Sequence, residues 1–292
     1  LVAAARLGND VKIFGAVGDD IHSSENVKNL QEQNVDTKKL TIIKVGGKIV
    51  ETPESLNTLL DDFATVEGKK ILVHGGGRSA TAIATRLGIE SKMVDGRRIT
   101  DAETLEVVTM VYGGLVNKGI VVGLQKRDMN ALGLTGADLC VIQSDKRPVE
   151  TIDYGFVGDV KKVDADKLAL LLEQDIVPVL APLSFSKEHG LLNTNADTIA
   201  SETAKALSAK FDTTLVYCFE KKGVLYNPDD DDSVISEITP EIYEKYKAEG
   251  IISGGMIPKL DNAFRALEAG VSKVVITEAS QIGKNTGTTI IR

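Results

Sequence analysis

Short apolar stretches alternate along this chain with longer segments in which apolar residues recur every three or four positions. The stretch Thr41–Val45 is rich in β-branched residues and is typical of a buried strand. The segment after it begins near Pro53 and has apolar residues at helical spacing, which predicts a helix. Because this alternation continues to the end, it predicts an α/β fold with a mainly parallel sheet covered on both faces. Further strands are predicted at 70–74, 139–142, 177–181, 214–219, 273–276 and 288–291.

The composition is that of an ordinary soluble chain, with 292 residues, 42% hydrophobic and 26% charged. A formal net charge of −8 argues against general binding to nucleic acid or to an anionic membrane. The sequence shows neither a cleavable signal nor, by inspection, an apolar run that could span a bilayer. Its two cysteines, Cys140 and Cys218, lie far apart in apolar runs and are expected to be buried thiols. We therefore predict a cytoplasmic protein.

Residues 1–40 differ from the rest. They resemble a fragment of the ribokinase-like sugar kinases, with a strand-like run at Val11–Val17, an acidic turn at Gly18–Asp20 and a helical pattern after it. The late glycine-rich segment with its catalytic aspartate, which that family needs, does not occur in the sequence. One strand and one helix are too few for a stable domain. We expect a fused remnant that is poorly ordered or docked on a main body formed by residues 41–292.

Two strands of the main body end in glycine-rich turns. Lys44 lies near the end of the first strand and is followed by Gly46 and Gly47. The second strand ends in His74 before Gly75–Gly77, and Ser79 is the expected cap of the helix that follows. Glycines between a strand and a helix N-terminus let backbone N–H groups approach an anion closely. For the first turn alone, an ordinary turn is the simpler interpretation. His74 has no partners spaced to complete a metal site, so a structural histidine is the better interpretation.

The second half adds further polar groups at helix starts. Asn193, Asn195 and Asp197 precede or begin a helix predicted from Thr198, where they are either helix caps or part of a site. Lys259 lies in the first turn of another helix, where a cation opposes the helix dipole unless an anion is bound. Arg98 is a candidate for forking onto a carboxylate, or one of a solvated arginine pair.

Two other features carry structural expectations. Residues 148–160 alternate and contain glycines, which predicts an antiparallel hairpin that is either a lid or a plain insertion. The helix that begins near Ala102 is long and apolar enough to serve as a dimer surface, with Gly113 and Gly114 loosening it.

Taken together, five motifs resemble the amino acid kinase family, and within it the kinases that act on N-acylated glutamate. The resemblance runs from about Thr41 to Ile291 with the motifs in the family's order. These motifs are Ile43–Gly47, Val73–Gly77, Asp95–Asp101, Leu192–Asp197 and Gly254–Lys259.

The resemblance implies an open αβα sandwich of two lobes, with the acyl-amino acid held by residues 41–183 and the nucleotide by 184–292. It implies that ATP with Mg²⁺ phosphorylates the side-chain carboxylate of N-acetyl-L-glutamate in arginine biosynthesis. It also implies small-molecule partners, namely an N-acyl-L-glutamate and ATP, and a homodimer, with no nucleic acid and no membrane.

Residue roles follow by position from the same resemblance. Lys44 and Lys259 would stabilise charge on the transferred and leaving phosphates, and Asp197 would hold both lysines. Arg98 and Asn193 would bind the substrate's α-carboxylate and N-acyl group, with Asn195 in support. Backbone N–H groups of the glycines would hold the phosphates and the γ-carboxylate; these are Gly46, Gly47, Gly75, Gly76 and Gly77.

One stretch departs from the family. Where these kinases often have a Thr-Asp pair after this strand, the chain has the stretch Tyr217–Glu220, so nucleotide contacts there are open and Lys222 is only a weak candidate. The rival functions are a kinase for another carboxylate, such as N-succinylglutamate, and a non-catalytic metabolite-binding protein. A ribokinase-like sugar kinase is a poor third.

Overall fold

The computed structural model describes residues 38–94, 96–284 and 286–292. Positions 1–37 of the fragment predicted at the N-terminus lie outside the described residues. An eight-stranded sheet forms the centre of the described chain. All neighbouring strands are parallel except one antiparallel pair near one edge. From edge to edge the strands are β5 (Ala131–Leu134), β8 (Val177–Leu180), β2 (Lys69–His74), β1 (Lys39–Val45), β11 (Asp212–Phe219), β13 (Lys273–Glu278), β14 (Thr288–Ile290) and β12 (Glu237–Ile238).

Helices connect these strands. One continuous helical segment runs from α4 (Ala102–Val108) through a π-helical stretch, Thr109–Val116, to α5 (Asn117–Gln125). The π-helical turns contain the glycine pair that was expected to loosen this helix. The other helices are α1 (Gly47–Glu51), α2 (Pro53–Thr65), α3 (Gly77–Arg86), α6 (Ala165–Glu173), α7 (Ala196–Leu207), α8 (Pro240–Ala248) and α9 (Met256–Glu268).

The alternation of side chains along β1 explains why helices cover both faces of the sheet. Leu40 and Ile42 belong to one hydrophobic core, which α7 and α9 complete. Ile43 and Val45 point the other way, into a second core that α2 and α5 complete. A strand with apolar side chains on both faces can be buried only between two layers. The predicted α/β class, with a mainly parallel sheet, is confirmed.

A second sheet of four strands lies apart from the central one in hydrogen bonding. Its strands are, in order, β10 (Gly190–Asn193), β9 (Leu183–Ser186), β6 (Ile142–Lys146) and β7 (Gly158–Val163). The pair β6 and β7 is antiparallel, as predicted for this region, but its first strand is Ile142–Lys146 and not the predicted 148–150. A short hairpin, β3 (Met93–Val94) with β4 (Arg97–Arg98), precedes α4.

Several local predictions were wrong. Leu139 lies in a 3₁₀ turn with a positive φ of 55° and is exposed, so the strand begins at Ile142 rather than at 139. The helix after the second strand begins at Gly77, so Ser79 lies within it and does not cap it. Cys140 is only partly buried, unlike Cys218.

The long helix also corrects an expectation about membranes. Its 24 residues, Ala102–Gln125, are by length and composition alone sufficient to cross a bilayer. Half of its most apolar window is buried inside the protein, a property that the core helix of a soluble protein shares.

Candidate active site

Lys44 is a buried lysine near the carboxyl end of β1, in the middle of the sheet. It is 8% exposed and lies between Val73 of β2 and Tyr217 of β11 in the strand register. Its Nζ lies 2.7 Å from Oδ1 of Asp197. This contact meets the distance of an ion pair but not the angles of a hydrogen bond, since Oδ1 has no hydrogen-bond partner. Burying an ammonium is costly unless it is paired, and Asp197 supplies the partner.

Asp197 is positioned by the start of α7. Asn195 is the N-cap residue, and its Oδ1 accepts hydrogen bonds from the backbone N–H groups of Asp197 at 2.7 Å and Thr198 at 3.1 Å. This capping fixes the first helical turn, and with it the carboxylate that faces Lys44. Helix α7 begins at Ala196, before the predicted Thr198. The side chain of Asn195 is thus used in capping.

Lys259 lies in the first turn of α9 and reaches the same place. Lys259 and Asp197 line one small cavity together with Tyr217 and Asn262. Burial lowers the pKa of Lys259, Asp197 acts to raise it, and Lys44 lowers it further. Lys259 forms no ion pair within the described chain; its Nζ lies over the ring of Phe219 at 3.7 Å from the centroid. The structure thus pairs Asp197 directly with Lys44 alone.

The two glycine turns pack against each other beside the end of β1. A Cβ on Gly47 would lie 3.4 Å from the nitrogen of Gly76 and 3.6 Å from that of Gly77. A Cβ on Gly75 would lie 3.1 Å from the nitrogen of Gly47, closer than most real contacts. The N–H of Gly75 donates to the carbonyl of Val45 at 3.1 Å, so it is already used. Gly46 is the N-cap residue of the short helix α1.

Arg98 ties the hairpin β3–β4 to the start of α3. Its guanidinium is almost fully buried and donates to the carbonyl of Gly77 at 2.8 Å, to Thr81 Oγ1 at 2.8 Å and to Ser91 Oγ at 2.7 Å. The structure therefore places Arg98 directly against the second glycine turn.

Asn193 lies at the end of β10, next to the same hairpin. Its Nδ2 donates to Thr100 Oγ1 at 2.9 Å, and that hydroxyl donates to the carbonyl of Arg98 at 3.2 Å. The backbone N–H of Asn193 donates to the carbonyl of Phe156. A continuous chain of hydrogen bonds therefore links Asn193 to Arg98 and on to Gly77.

Lys222 does not join this group. Its Nζ lies 2.5 Å from Asp232 in the exposed acidic run, and this partner raises its pKa. The neighbouring Glu220 pairs with Lys48 at 2.7 Å, which lowers the pKa of Glu220. In the part of the chain that the structure describes, Lys222 makes no hydrogen bond or ion pair with any other predicted site residue.

His74 is structural, as predicted. It is fully buried, its Nδ1 donates to the carbonyl of Gly75 at 2.7 Å, and its Nε2 accepts from Asn117 Nδ2 at 3.1 Å. Burial lowers its pKa to about 4, so it is neutral near pH 7. Through its hydrogen bond to the carbonyl of Gly75, His74 thereby holds the second glycine turn in place.

Three residues of the site region were not predicted as parts of it. Tyr112 is buried against Gly76, since a Cβ there would lie 2.9 Å from its Cδ1. Thr100 joins Asn193 to Arg98 by hydrogen bonds. The ring of Phe219 contacts the ammonium groups of both Lys44 and Lys259. For Phe219 the departure from the family pattern in the stretch Tyr217–Glu220 was the available signal. Thr100 lies within the motif Asp95–Asp101, which was the available signal for it, whereas the sequence offers no comparable signal for Tyr112.

Among residues 38–94, 96–284 and 286–292, no group of three or more His, Cys, Asp or Glu side chains is arranged to hold a metal ion.

The fold is that of an open α/β sandwich, with a polar cluster where the parallel strands β1 and β11 meet helix α7. Residues 39–278 match the model of the amino acid kinase family. The chain belongs to the amino acid kinase family.

Individual relatives agree with this placement. The chain is 69% identical over 253 residues to an acetylglutamate kinase of Bacteroides thetaiotaomicron, covering 87% of this chain and 98% of that protein. It is 68% identical to an acetylglutamate kinase of Phocaeicola vulgatus with the same coverage. The crystal structure of smu.665 from Streptococcus mutans superposes with a TM-score of 0.69 at 29% identity, covering 86% of this chain and 98% of that one. The predicted family resemblance is confirmed.

Proposed function

We propose that the chain transfers the γ-phosphoryl group of ATP to the side-chain carboxylate of N-acetyl-L-glutamate, giving an acyl phosphate in arginine biosynthesis. The observation that carries this proposal is identity of 68% and 69% to acetylglutamate kinases over nearly their whole length. The buried Lys44–Asp197 pair beside Lys259 supports it, because a simple metabolite-binding protein does not need two partly desolvated lysines at one place.

This reaction requires alignment of the reacting groups and stabilisation of the charge in the transition state. The attacking group is a carboxylate, which is ionised near neutral pH, so no general base is required. Phosphoryl transfer passes through a loose transition state with charge spread over the phosphate oxygens. Preorganised cations and N–H groups stabilise that charge most effectively where water is excluded.

We assign Lys44 to the transferred phosphoryl group and Lys259 to the leaving phosphate. Asp197 holds Lys44 through the 2.7 Å ion pair and acts on Lys259 through its charge. Two ammonium groups close to one carboxylate leave a local surplus of positive charge, which suits a highly anionic nucleotide.

We assign the glycine turns to the reacting groups. A Cβ on Gly47 would lie 3.4 Å from the nitrogen of Gly76 and 3.6 Å from that of Gly77, so these backbone groups lie close together, and at Gly76 a Cβ would clash with Tyr112. Gly46 and Gly75 shape the same turns, although the N–H of Gly75 is engaged with Val45. The N–H groups of Gly46, Gly47, Gly76 and Gly77, at the starts of α1 and α3, suit phosphate oxygens and the γ-carboxylate.

We assign Arg98 and Asn193 to the α-carboxylate and the N-acyl group of the substrate. Arg98 is charged and buried next to Gly77, and Asn193 is held by Thr100. Asn195 supports the site by capping α7. Lys222 keeps only a weak assignment to the nucleotide, since Asp232 holds it away from the lysine pair in the described structure.

Mg²⁺ enters this proposal as part of the MgATP substrate. Magnesium usually keeps several waters and is bound through substrate phosphates with few protein carboxylates.

We also propose a cytoplasmic homodimer, with an acyl-amino-acid lobe formed by residues 41–183 and a nucleotide lobe by 184–292. The dimer is supported by apolar side chains on the long helix that are more than half exposed: Met110, Leu115 and Val122. Such a row on one element is typical of a buried interface between subunits.

Coupled ADP-release assays with N-acetyl-L-glutamate and N-succinyl-L-glutamate test the proposal. We expect turnover that depends on N-acetyl-L-glutamate and is much slower with the succinyl analogue. A clear preference for the succinyl compound would reassign the substrate. Tight binding of both ligands by calorimetry without turnover would overturn the kinase proposal.

A further inference from the structure

The ring of Phe219 lies at the meeting point of the two site lysines. Phe219 is the last residue of β11 and is partly buried. Lys259 Nζ lies 3.7 Å from its ring centroid and Lys44 Nζ lies 5.4 Å from it. Both distances are within the range at which an aromatic face attracts a cation.

The neighbouring ring of Tyr217 fixes the orientation of the Phe219 ring. Tyr217 lies two residues earlier on β11, and hence on the same face, with its ring centroid 6.1 Å from that of Phe219 and the planes 16° apart. Tyr217 is itself buried, and its hydroxyl approaches the carbonyl of Asp197 at 3.5 Å. The stacked pair therefore joins the β11 end to the start of α7.

Lys259 needs such a contact more than Lys44 does. Lys44 has the carboxylate of Asp197 as a partner, whereas Lys259 forms no ion pair among the described residues. Lys259 also projects from the first turn of α9, where the helix dipole repels a cation. The negative face of an aromatic ring offsets both effects without neutralising the charge.

We propose that Phe219 is a positioning residue for phosphoryl transfer, whose ring face holds the Lys259 ammonium in place for the leaving phosphate. The inference rests on the proposed function. It gives a role to one residue of the stretch Tyr217–Glu220, in which the chain departs from the Thr-Asp pair of its family.

The test compares Phe219→Leu, which removes the ring but keeps an apolar side chain, with Phe219→Tyr, which keeps the ring. Phe185→Leu, at a partly buried phenylalanine of β9, is the matched control for the same substitution elsewhere. For each variant, kcat, the KM for MgATP and the thermal midpoint are measured with N-acetyl-L-glutamate saturating.

We expect Phe219→Leu to lower kcat roughly tenfold, the scale of one partly desolvated cation–π contact, with a smaller change in KM. Phe219→Tyr should recover most of kcat, and Phe185→Leu should keep kcat near the wild-type value. Equal kcat for Phe219→Leu and wild type would overturn the inference. A loss of kcat in Phe219→Tyr as large as that in Phe219→Leu would also overturn it. Inactivity of the wild-type chain itself would instead overturn the proposed function, so the two failures are distinguishable.

Discussion

At the scale of single residues, the site depends on charges that are held out of water. Lys44 is 8% exposed and faces Asp197, while Lys259 is partly buried over an aromatic ring. Asp197 offsets the burial of Lys44, whereas Lys259 has no ion-pair partner among the described residues. The burial of Lys259 therefore supports the proposal that it receives an anionic phosphate.

Replacing either lysine by alanine should mainly affect the chemical step. Lys44→Ala and Lys259→Ala are each expected to lower kcat by roughly a hundredfold or more, the scale of one preorganised donor, with less effect on KM. Steady-state kinetics checks this. Lys210→Ala, which removes an exposed lysine paired with Asp166, is the control and should retain kcat. Near-wild-type kcat in either site variant would remove that lysine from its assigned role.

The lowered pKa of Lys259 gives a prediction about alkaline pH. Lysine ordinarily titrates at 10.5, and burial, which is the largest cause here, favours its neutral form. Because the cationic form is the active one, kcat should fall on the alkaline side at a pH below 10.5. Burial raises the pKa of nearby Cys218 to about 12, so that thiol does not titrate in the same range.

Lys259→Arg separates this titration from general alkaline inactivation. Arginine keeps its charge throughout the range, so any residual activity of this variant should lack the alkaline fall. An identical alkaline limb in the variant and the wild type would show that another group is responsible.

Arg98 is predicted to act in substrate binding. Arg98→Ala should raise the KM for N-acetyl-L-glutamate about tenfold or more, the scale of a charge-assisted hydrogen bond, with a smaller change in the KM for MgATP. Because Arg98 also bonds Gly77 and Thr81, the thermal midpoint must be measured beside the kinetics. An unchanged KM in a folded variant would exclude Arg98 from the substrate site.

At the scale of elements, two glycine turns and two helix starts meet at the ends of parallel strands. The strands were predictable because β-branched runs such as Thr41–Val45 have few alternatives. Leu139 was misassigned because an apolar residue in an apolar run gives no sign of a positive φ. The start of α3 was misplaced because the helix already begins at Gly77, after Gly76 has packed closely against the ring of Tyr112, and this overrides the capping preference of Ser79.

The second glycine turn is expected to tolerate no side chain at Gly76. A Cβ there would lie 2.9 Å from the buried ring of Tyr112, so Gly76→Ala should cost about 1–3 kcal/mol of unfolding free energy and lower activity. Denaturant unfolding and kinetics check both. Gly119→Ala in α5 is the control, because nothing lies within 4 Å of its Cβ, and it should be neutral or slightly stabilising. Equal stabilities of the two variants would contradict the packing argument.

At the scale of the whole molecule, the sequence pattern predicted the class of fold and the relatives support the reaction. The contacts between the two halves of the site were not predictable from spacing alone. The ring of Phe219 beneath the lysines and the chain from Asn193 through Thr100 to Arg98 join residues that are distant in sequence. Such contacts depend on how β10, β11 and α9 are placed together, and local patterns do not encode this.

The proposed subunit interface makes a prediction at the same scale. Leu115→Lys places a charge among the exposed apolar side chains of the long helix and is expected to shift the protein from dimer to monomer. Sedimentation equilibrium measures this, with Leu170→Lys at another exposed leucine as the control. A wild-type protein that is monomeric, or a variant that stays dimeric, would contradict this interface.

The most direct measurement is the identity of the phosphorylated product. Wild-type protein is incubated with MgATP, N-acetyl-L-glutamate and hydroxylamine, which converts an acyl phosphate to a hydroxamate, and the product is identified by mass spectrometry. We predict the side-chain hydroxamate of N-acetyl-L-glutamate, formed in proportion to ADP and strongly reduced in Lys44→Ala. ADP formed without hydroxamate, or a hydroxamate yield that Lys44→Ala leaves unchanged, would contradict the proposed function.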